Sequence, residues 1–382
     1  MYYCGNYSVI NEKTTKFYNL IKNNMVTLRW IQNDITWLTD DKRIESVDEI
    51  ISPIELINKF QIDSKTADFI ELSRKSISNI VNLNDPRLLV ITWPCSIHNS
   101  TEAILYAEKL QKIKENNPHL FLVMRTYFEK PRTTVGWKWL INDPDCDDSC
   151  DIEKWFEIAR SLLLKINQMW IPTAVEFLDT ITPQYIADLV SWWAIWARTT
   201  ESQEHRKLVS WLSMPIGFKN WTNWSIQIAI DAIKASVWKH TFLSIAKDWK
   251  VAKITSTWNN DSHIILRGGS NWPNYTEAHM KETTEKLQKN WIEKWIIIDF
   301  SHANSSKDYK KQIIVCGNIA NQISNWNNKI VGVMIEWNLC AWNQKLSDNL
   351  LPWVSITDAC VDWESNNSMI NELNKAVWIR NS

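Results

Sequence analysis

From Arg87 onward, short apolar runs alternate with amphipathic stretches along the rest of the chain. Such runs, without polar alternation, are typical of strands that are buried on both faces. We predict strands at residues 87–92, 120–125, 173–178, 194–198, 216–219, 263–267, 295–300 and 331–336. Eight strand–helix units in succession predict an α/β fold of the (β/α)8 TIM barrel type. A doubly wound parallel sheet is the structural alternative.

Helical periodicity is clear between the predicted strands. Within residues 151–167, apolar side chains from Ile152 to Ile166 repeat near every 3.6 residues. A second helix is predicted to begin at TPQYIADLV, with Thr182 as its N-cap and Pro183 in the first position.

Three segments depart from the alternating pattern. Residues 241–257 predict a β-hairpin, within an insertion at about residues 238–258 that precedes the sixth barrel strand. Residues 39–86 predict a helical segment in which Pro53 breaks the helix or starts a turn. Residues 1–38 are rich in Asn, Thr and Tyr, and we expect a poorly ordered or non-native extension. The predicted barrel domain therefore covers residues 87–382.

Composition narrows the class of protein. The 382 residues are 45% hydrophobic and 22% charged, enough for a sizeable core. Forty-two basic and 43 acidic residues give a net charge of −1, which excludes a global field that attracts nucleic acid or membranes. Seven cysteines, with no CxxC pair, favour a reducing compartment over a disulfide framework. Because no secretory signal pattern or 18-residue apolar run is present, we predict a cytoplasmic protein.

The chain has 25 tryptophans and only 7 glycines. A glycine content of about 7% would give roughly 27 glycines in a chain of this length. Several tryptophans stand at expected turns, among them Trp93, Trp221 and Trp224, and others at expected helix ends, among them Trp170 and Trp211. We hypothesise that most are glycine codons of an organism that reads UGA as glycine. The alternative is a truly Trp-rich protein with exposed aromatic platforms.

Cationic side chains collect at the carboxyl ends of the predicted strands, where the active site of such a barrel lies. They are Arg125, Lys130, Arg132, Arg198, Lys219 and Arg267. Six cations around one cavity favour a multiply anionic ligand, because guanidinium groups bind phosphate and carboxylate in bidentate fashion. Each one alone is also compatible with a surface cation or an ion-pair partner.

A second set of strand-end residues has the chemistry of metal ligands. It comprises Cys95, His302, Glu336 and Asp358. A thiolate, an imidazole and two carboxylates suit a divalent ion such as Mn²⁺, Fe²⁺, Co²⁺ or Zn²⁺. The alternative reading is a buried thiol, a core histidine and carboxylates that pair with the nearby cations.

Long runs resemble the microbial type I 3-deoxy-D-arabino-heptulosonate 7-phosphate (DAHP) synthases, the class inhibited by aromatic amino acids. They are LLVITWPCSIH, VMRTYFEKPRTTVGWKWLINDP, AVEFLDTITPQY, SWWAIWARTTESQ, PIGFKNWTNWS, HIILRGG, IDFSHANSSK, GVMIEWNLCAWNQ and SITDAC. The resemblance extends from about Asp40 to the C-terminus. The family has Gly at the positions of Trp93, Trp139, Trp193, Trp196, Trp211, Trp221 and Trp224, and Trp at those of Trp137, Trp192 and Trp363.

The resemblance implies a metal-dependent transferase, 3-deoxy-7-phosphoheptulonate synthase. Such enzymes open the shikimate pathway by condensing phosphoenolpyruvate (PEP) with erythrose 4-phosphate, releasing phosphate. It implies that Arg125 and Lys219 hold the PEP carboxylate, and that Arg198 and Arg267 hold its phosphate. Arg132 and Thr133 would bind the aldose phosphate. The catalytic residues would be Lys130, Glu176, Cys95 and His302. One divalent metal ion would be bound by Cys95, His302, Glu336 and Asp358, and Asp358 would also contact the substrate.

The resemblance also implies an aromatic amino acid effector and a homo-oligomer, a dimer or a tetramer. The matching effector positions are Asp40, Asp41, Pro183, Gln184, Ser213, Phe242, Ser244 and Ile254. Alternatively, the hairpin only supports an oligomer interface. For the whole chain, the alternatives are a 3-deoxy-D-manno-octulosonate 8-phosphate synthase-like enzyme and a non-catalytic sensor of aromatic amino acids.

Overall fold

The computed structural model describes residues 41–129, 144, 149–223, 225–270, 272–345, 347 and 349–382. Contacts divide the chain into two units, residues 1–50 and 51–382. The described part of the first unit, residues 41–50, contains no helix or strand. The predicted extension at residues 1–38 lies outside the described residues.

Eight parallel strands close into a barrel in the second unit, in the order β1, β10, β9, β8, β5, β4, β3, β2. They are β1 (Leu88–Thr92), β2 (Leu120–Arg125), β3 (Thr173–Glu176), β4 (Trp192–Ile195), β5 (Ile216–Lys219), β8 (Ser262–Leu266), β9 (Ile296–Asp299) and β10 (Ile330–Ile335). All but one of their side chains are buried. The predicted TIM barrel is therefore confirmed, and the doubly wound alternative is wrong.

Helices follow the strands around the barrel. In chain order they are α1 (Pro53–Lys59), α2 (Ser64–Val81), α3 (Ser100–Asn116), α4 (Ile152–Gln168), α5 (Pro183–Ile186), α6 (Gln203–Val209), α7 (Gln227–Ser236), α8 (Glu277–Lys289), α9 (Lys311–Ser324) and α10 (Trp363–Asn381). A 3₁₀ turn, Ala187–Leu189, follows α5. The inserted hairpin pairs β6 (Thr241–Ile245) with β7 (Val251–Thr255), as predicted. No helix in the described part of the chain has the length and apolarity that a membrane crossing would need.

Two helix starts differ from the prediction in detail. Pro53 begins α1 instead of interrupting a longer helix, because Ser52 and Glu55 form a capping box around its first turn. Pro183 does occupy the first position of α5, but the Thr182 side chain makes no cap hydrogen bond. Its hydroxyl donates to Asp179 instead, at 2.5 Å.

Tryptophan occupies the left-handed position just beyond the end of three helices. Trp170, Trp291 and Trp326 follow the C-caps of α4, α8 and α9 with φ between 58° and 68°. In each case the Trp N–H donates to the carbonyl three residues earlier, and the next N–H donates to the carbonyl five residues earlier. This is the Schellman motif, whose left-handed residue is usually glycine. Trp211, which we expected to stand in the same role after α6, is not among the residues with positive φ.

A tryptophan also occupies the left-handed position in the hairpin turn. Ala246 N–H donates to the Lys250 carbonyl at 2.8 Å, and Trp249 N–H donates to the Ala246 carbonyl at 3.0 Å. Trp249 has φ 65°, so it fills the left-handed position of a bulged hairpin turn, where glycine is normally found. In total, six of the twelve non-glycine residues with positive φ in the described ranges are tryptophan.

Candidate functional site

The candidate site lies at the carboxyl ends of the barrel strands, which all open on one side because the strands are parallel. Three predicted metal ligands meet there. One ligand atom each from Cys95, Glu336 and Asp358 lies within 4.8 Å of the others. Cys95 and Glu336 are buried, whereas Asp358 is exposed. A thiolate and two carboxylates at this separation can share one divalent ion, with ligand distances of about 2.0–2.3 Å.

Loop contacts hold these ligands in place. Gln312 from α9 brackets the Glu336 backbone: its amide donates to the Glu336 carbonyl at 2.9 Å, and its amide oxygen accepts from the Glu336 N–H at 3.0 Å. The hydroxyls of Ser96 and Thr357, the neighbours of Cys95 and Asp358, are 3.1 Å apart. Sequence reasoning missed Gln312, because it stands 24 residues before Glu336 on the preceding helix.

His302, the fourth predicted ligand, is not part of this three-residue group. Its Nδ1 atom lies 2.7 Å from the Ser301 hydroxyl and 3.0 Å from Asp299 Oδ2. Its Nε2 atom is buried and has no hydrogen-bond partner. A buried ring nitrogen without a partner is costly unless a ligand satisfies it. The group of Cys95, Glu336 and Asp358 has the donor chemistry of a divalent metal site, and the Nε2 atom of His302 is left able to accept a ligand.

Two of the predicted cations already have carboxylate partners. Arg125 is fully buried, lies 2.6 Å from Glu336 Oε1 and donates to the Cys95 carbonyl at 3.1 Å. Lys219 Nζ lies 3.3 Å from Glu176 and 3.9 Å from Asp299. The ion-pair reading of these two side chains is thus correct, yet both remain at the barrel mouth. Arg125 thereby contacts two of the candidate metal ligands, Cys95 and Glu336.

Arg198 and Arg267 lie close enough to influence each other electrostatically. Arg198 is exposed and Arg267 is half-buried. Burial is the main cause that lowers the pKa of Arg267; the negative charge of Asp299 opposes this effect, and the positive charge of Arg198 adds to it. Two guanidinium groups that repel each other favour an anion between them. The side-chain oxygen of Asn220, a residue that the sequence did not single out, accepts a hydrogen bond from the backbone N–H of Arg267 at 2.8 Å.

Glu176 is a fully buried carboxyl at the end of β3. Burial raises its pKa, although Lys219 and Arg125 oppose that effect. A carboxyl with a raised pKa holds a proton more readily than an ordinary carboxylate, which suits proton transfer. Glu176 therefore has two features that suit an acid–base group, a raised pKa and a lysine partner.

Several predicted site residues lie outside the described residues. They are Lys130, Arg132, Thr133 and Asp40. Asp41 is described, in the separate unit of residues 1–50. Nothing in the geometry above depends on these five positions.

The remaining effector positions lie in the hairpin, in α5 and in the loop that follows α6. Phe242 and Ile254 are paired residues of β6 and β7, with Ser244 two positions along β6. The Gln184 side chain donates to the Ile245 carbonyl at 2.6 Å, which attaches α5 to the hairpin. Pro183 is buried beside Gln184, whereas Ser213 is exposed.

An aromatic cluster crowds the loop that carries Cys95. The ring centroids of Trp93 and Tyr106 are 3.5 Å apart, and those of Tyr106 and Trp337 are 4.0 Å apart. The Trp93 and Trp337 indole nitrogens and the Tyr106 hydroxyl are buried without hydrogen-bond partners. Interiors rarely leave so many buried donors unpaired in one cluster.

Comparisons with known proteins agree on one family. The model of the DAHP synthetase I family matches residues 59–371. A Phe-sensitive phospho-2-dehydro-3-deoxyheptonate aldolase of Escherichia coli (strain K12) is 48% identical over 91% of this chain and 99% of its own. A Trp-sensitive relative from Salmonella typhimurium is 44% identical, covering 89% of this chain and 98% of its own. A solved aldolase structure from Francisella tularensis SCHU S4 superposes with a TM-score of 0.86 at 45% identity, covering 88% of this chain and 99% of that one.

Proposed function

We propose how this chain performs its reaction, starting from the finding that it belongs to the DAHP synthetase I family. It is an enzyme that condenses phosphoenolpyruvate with erythrose 4-phosphate to DAHP and phosphate, in the shikimate pathway. The observation that carries the proposed site is the group of Cys95, Glu336 and Asp358 beside buried Arg125. Release of phosphate from the two substrates, measured with and without added divalent metal, tests it. The same assay with arabinose 5-phosphate separates it from the eight-carbon alternative.

PEP binding is assigned to four cations. Arg125 and Lys219 would hold its carboxylate, and Arg198 and Arg267 its phosphate. The lowered pKa of Arg267 beside Arg198 supports the phosphate assignment, because a bound dianion removes the repulsion between them. The carboxylate partners of Arg125 and Lys219 support a role in positioning more than in supplying net charge.

Replacing Arg267 by Ala should mainly weaken the use of PEP. Loss of charge-assisted hydrogen bonds worth about 1.5–3 kcal/mol should raise the KM for PEP by roughly 10- to 100-fold, with a smaller fall in kcat. Steady-state kinetics at saturating erythrose 4-phosphate measure this. Arg87→Ala is the matched control, because Arg87 pairs with Asp85 just before β1, at the opposite end of the barrel. A normal PEP response in Arg267→Ala would remove the assignment.

The metal centre is proposed to consist of Cys95, His302, Glu336 and Asp358, with one divalent ion of Mn, Fe, Co or Zn. The unpartnered Nε2 of His302 supports its inclusion. When bound, the ion would polarise the aldehyde carbonyl of the aldose and stabilise the alkoxide that develops there.

The proton transfers are assigned to Lys130 and Glu176. C3 of PEP attacks C1 of the aldose, and Lys130 gives a proton to the aldehyde oxygen. Water then adds at C2 of the former PEP and gives its proton to Glu176, whose raised pKa suits that role. The hemiketal hydroxyl then loses its proton to the departing phosphate as the C–O bond breaks, which leaves the C2 ketone of DAHP and releases phosphate. By the same family resemblance, Arg132 and Thr133 would hold the aldose phosphate.

Feedback inhibition by an aromatic amino acid is proposed for the hairpin side of the barrel. The proposed positions are Asp40, Asp41, Pro183, Gln184, Ser213, Phe242, Ser244 and Ile254. The hydrogen bond from Gln184 to Ile245 supports it, because it ties the loop after β3 to the hairpin. Sensitivity to Phe in one relative and to Trp in another supports an aromatic effector.

Phe242→Ala should relieve inhibition by the effector amino acid. Removing part of an aromatic contact worth about 1.5–3 kcal/mol should raise the half-inhibitory concentration at least about tenfold. Rates across millimolar Phe, Tyr and Trp, each relative to the uninhibited rate of the same variant, measure the effect. Thr241→Ala is the matched control, because Thr241 is a neighbour of Phe242 in β6 and is exposed. Rates of the unmodified enzyme that stay flat with all three amino acids would reject feedback control.

We also propose that most tryptophans of this chain stand for glycine in the native protein. The Schellman positions of Trp170, Trp291 and Trp326 and the turn position of Trp249 support this. The crowded Trp93–Tyr106–Trp337 cluster supports it independently. UGA codons at these positions, together with glycine in peptides of the native protein, are the expected result. UGG codons there would reject the proposal.

A cytoplasmic location and a dimeric or tetrameric assembly complete the proposal. The first is supported by the seven cysteines without a disulfide pattern. The second is supported by exposed Leu243 and Val251 on the two hairpin strands.

A further inference from the structure

Asp299 is the buried carboxylate at the end of β9, three residues before His302. Its Oδ1 atom accepts two hydrogen bonds from Ser301, one from the backbone N–H at 3.0 Å and one from the hydroxyl at 2.7 Å. Its Oδ2 atom lies 3.0 Å from Nδ1 of His302 and 3.9 Å from Nζ of Lys219. One carboxylate thus contacts both a candidate metal ligand and a candidate PEP-binding cation.

The hydrogen bonds around Nδ1 determine where the imidazole proton lies. A serine hydroxyl has one proton, and Ser301 gives it to Asp299. Its oxygen, 2.7 Å from Nδ1, must then accept from the ring. If Ser301 instead donated to Nδ1, no proton would lie between its oxygen and Asp299 Oδ1, which are 2.7 Å apart, and their lone pairs would repel. Nδ1 therefore carries the proton, and a neutral ring has its lone pair on Nε2.

The backbone around Asp299 and His302 is also held by hydrogen bonds. Asn304 donates through its side-chain amide to the Asp299 carbonyl at 2.8 Å and to the Leu266 carbonyl at 3.1 Å. The His302 carbonyl accepts from the Lys307 N–H at 2.7 Å, while His302 itself has φ 60°. The ring is thus held by contacts on both sides of the residue, and its Nε2 atom remains buried and unpartnered.

We propose that Asp299 and Ser301 are positioning residues that lock His302 in the Nδ1-protonated tautomer, so that the Nε2 lone pair is available to a divalent metal ion. This inference rests on the proposed metal centre. A carboxylate or hydroxyl on the non-ligating nitrogen orients the ring and strengthens it as a ligand. Since Asp299 also faces Lys219, it couples the position of the ligand to that of the PEP-binding lysine.

Asp299→Asn is the sharpest test, because the new amide places an N–H group 3.0 Å from Nδ1, where the carboxylate oxygen Oδ2 now lies. The favoured tautomer becomes the one with the proton on Nε2, which cannot bind a metal. Affinity for Mn²⁺, measured by calorimetry with the apoenzyme, should fall about 10- to 100-fold. Ser301→Ala should lower it in the same direction. Ser236→Ala is the matched control, because Ser236 is a buried serine bonded to Ser262 and should leave Mn²⁺ affinity unchanged.

A second measurement needs no metal. Long-range ¹H–¹⁵N spectra of apoenzyme with ¹⁵N-labelled histidine report the tautomer of each ring, and His302→Asn identifies the His302 signal. We expect a protonated Nδ1 in the unmodified chain and a protonated Nε2 in Asp299→Asn. A protonated Nε2 in the unmodified chain, or equal Mn²⁺ affinity in both proteins, overturns the inference. If the unmodified chain binds no Mn²⁺ although Nδ1 is protonated, the proposed metal centre fails and the tautomer assignment stands.

Discussion

Cys95→Ala is expected to abolish metal-dependent turnover while the barrel remains folded. The thiolate is one of three ligand atoms that lie within 4.8 Å of one another, and alanine offers no replacement. Losing several kcal/mol of charge stabilisation at the aldehyde oxygen should reduce kcat by at least about 1000-fold. Phosphate release in excess Mn²⁺, metal content by mass spectrometry and the unfolding temperature together measure the outcome.

Cys316→Ala is the matched control for this variant. Cys316 is also a buried thiol, but it lies on α9 and contacts the Met369 carbonyl at 3.7 Å. Its loss should cost stability of about 1 kcal/mol and leave kcat within about twofold. Unchanged turnover in Cys95→Ala would remove Cys95 from the metal centre, and equal losses in both variants would indicate a packing effect.

The barrel could be predicted from sequence because its strands are buried on both faces. Six of the eight strands begin and end within one residue of the predicted bounds, and β2 and β5 coincide with them. The larger errors occur where β3 and β4 end, because Phe177 and Ala197 remain buried beyond the last ladder pairs. Hydrophobicity reports burial, so it cannot locate the point at which hydrogen-bonded pairing stops.

For the candidate site, the sequence could suggest individual residues but not which of them form pairs. The rule that barrel chemistry lies at strand ends selected Arg125 and Glu336, which are 211 positions apart in the chain. Their 2.6 Å ion pair depends on how β1, β2 and β10 are staggered around the barrel, and no local pattern contains that information. The sequence therefore left open whether each cation has a carboxylate partner, and the structure shows such partners for Arg125 and Lys219.

Asp299 shows a different limit of sequence reasoning. It ends an apolar strand three residues before His302, and that spacing was visible in IDFSHANSSK. The pattern did not single it out, because a carboxylate is equally common as a strand-ending surface residue. Only its complete burial and its contacts with Ser301, His302 and Lys219 distinguish it.

Replacing Trp291 and Trp326 by glycine together is expected to stabilise the fold. Each tryptophan holds the left-handed C′ position of a Schellman motif, which costs a non-glycine residue roughly 1–2 kcal/mol. The side chains are 94% and 66% exposed, so little packing is lost with them. Glycine's extra freedom in the unfolded chain offsets part of the gain. We therefore expect a net increase of about 1–2 kcal/mol in the free energy of unfolding for the double variant, measured by urea denaturation.

Trp378→Gly is the matched control, because Trp378 is an exposed tryptophan, 53% accessible, within helix α10. Glycine in a helix interior costs about 0.5–1 kcal/mol, so this variant should lose stability. A higher free energy of unfolding for the double variant and a lower one for Trp378→Gly would show that backbone geometry produces the gain. Removal of exposed apolar surface would be common to both variants. Destabilisation at both kinds of position would mean that the helix ends tolerate tryptophan, and the backbone argument for glycine at these positions would fail.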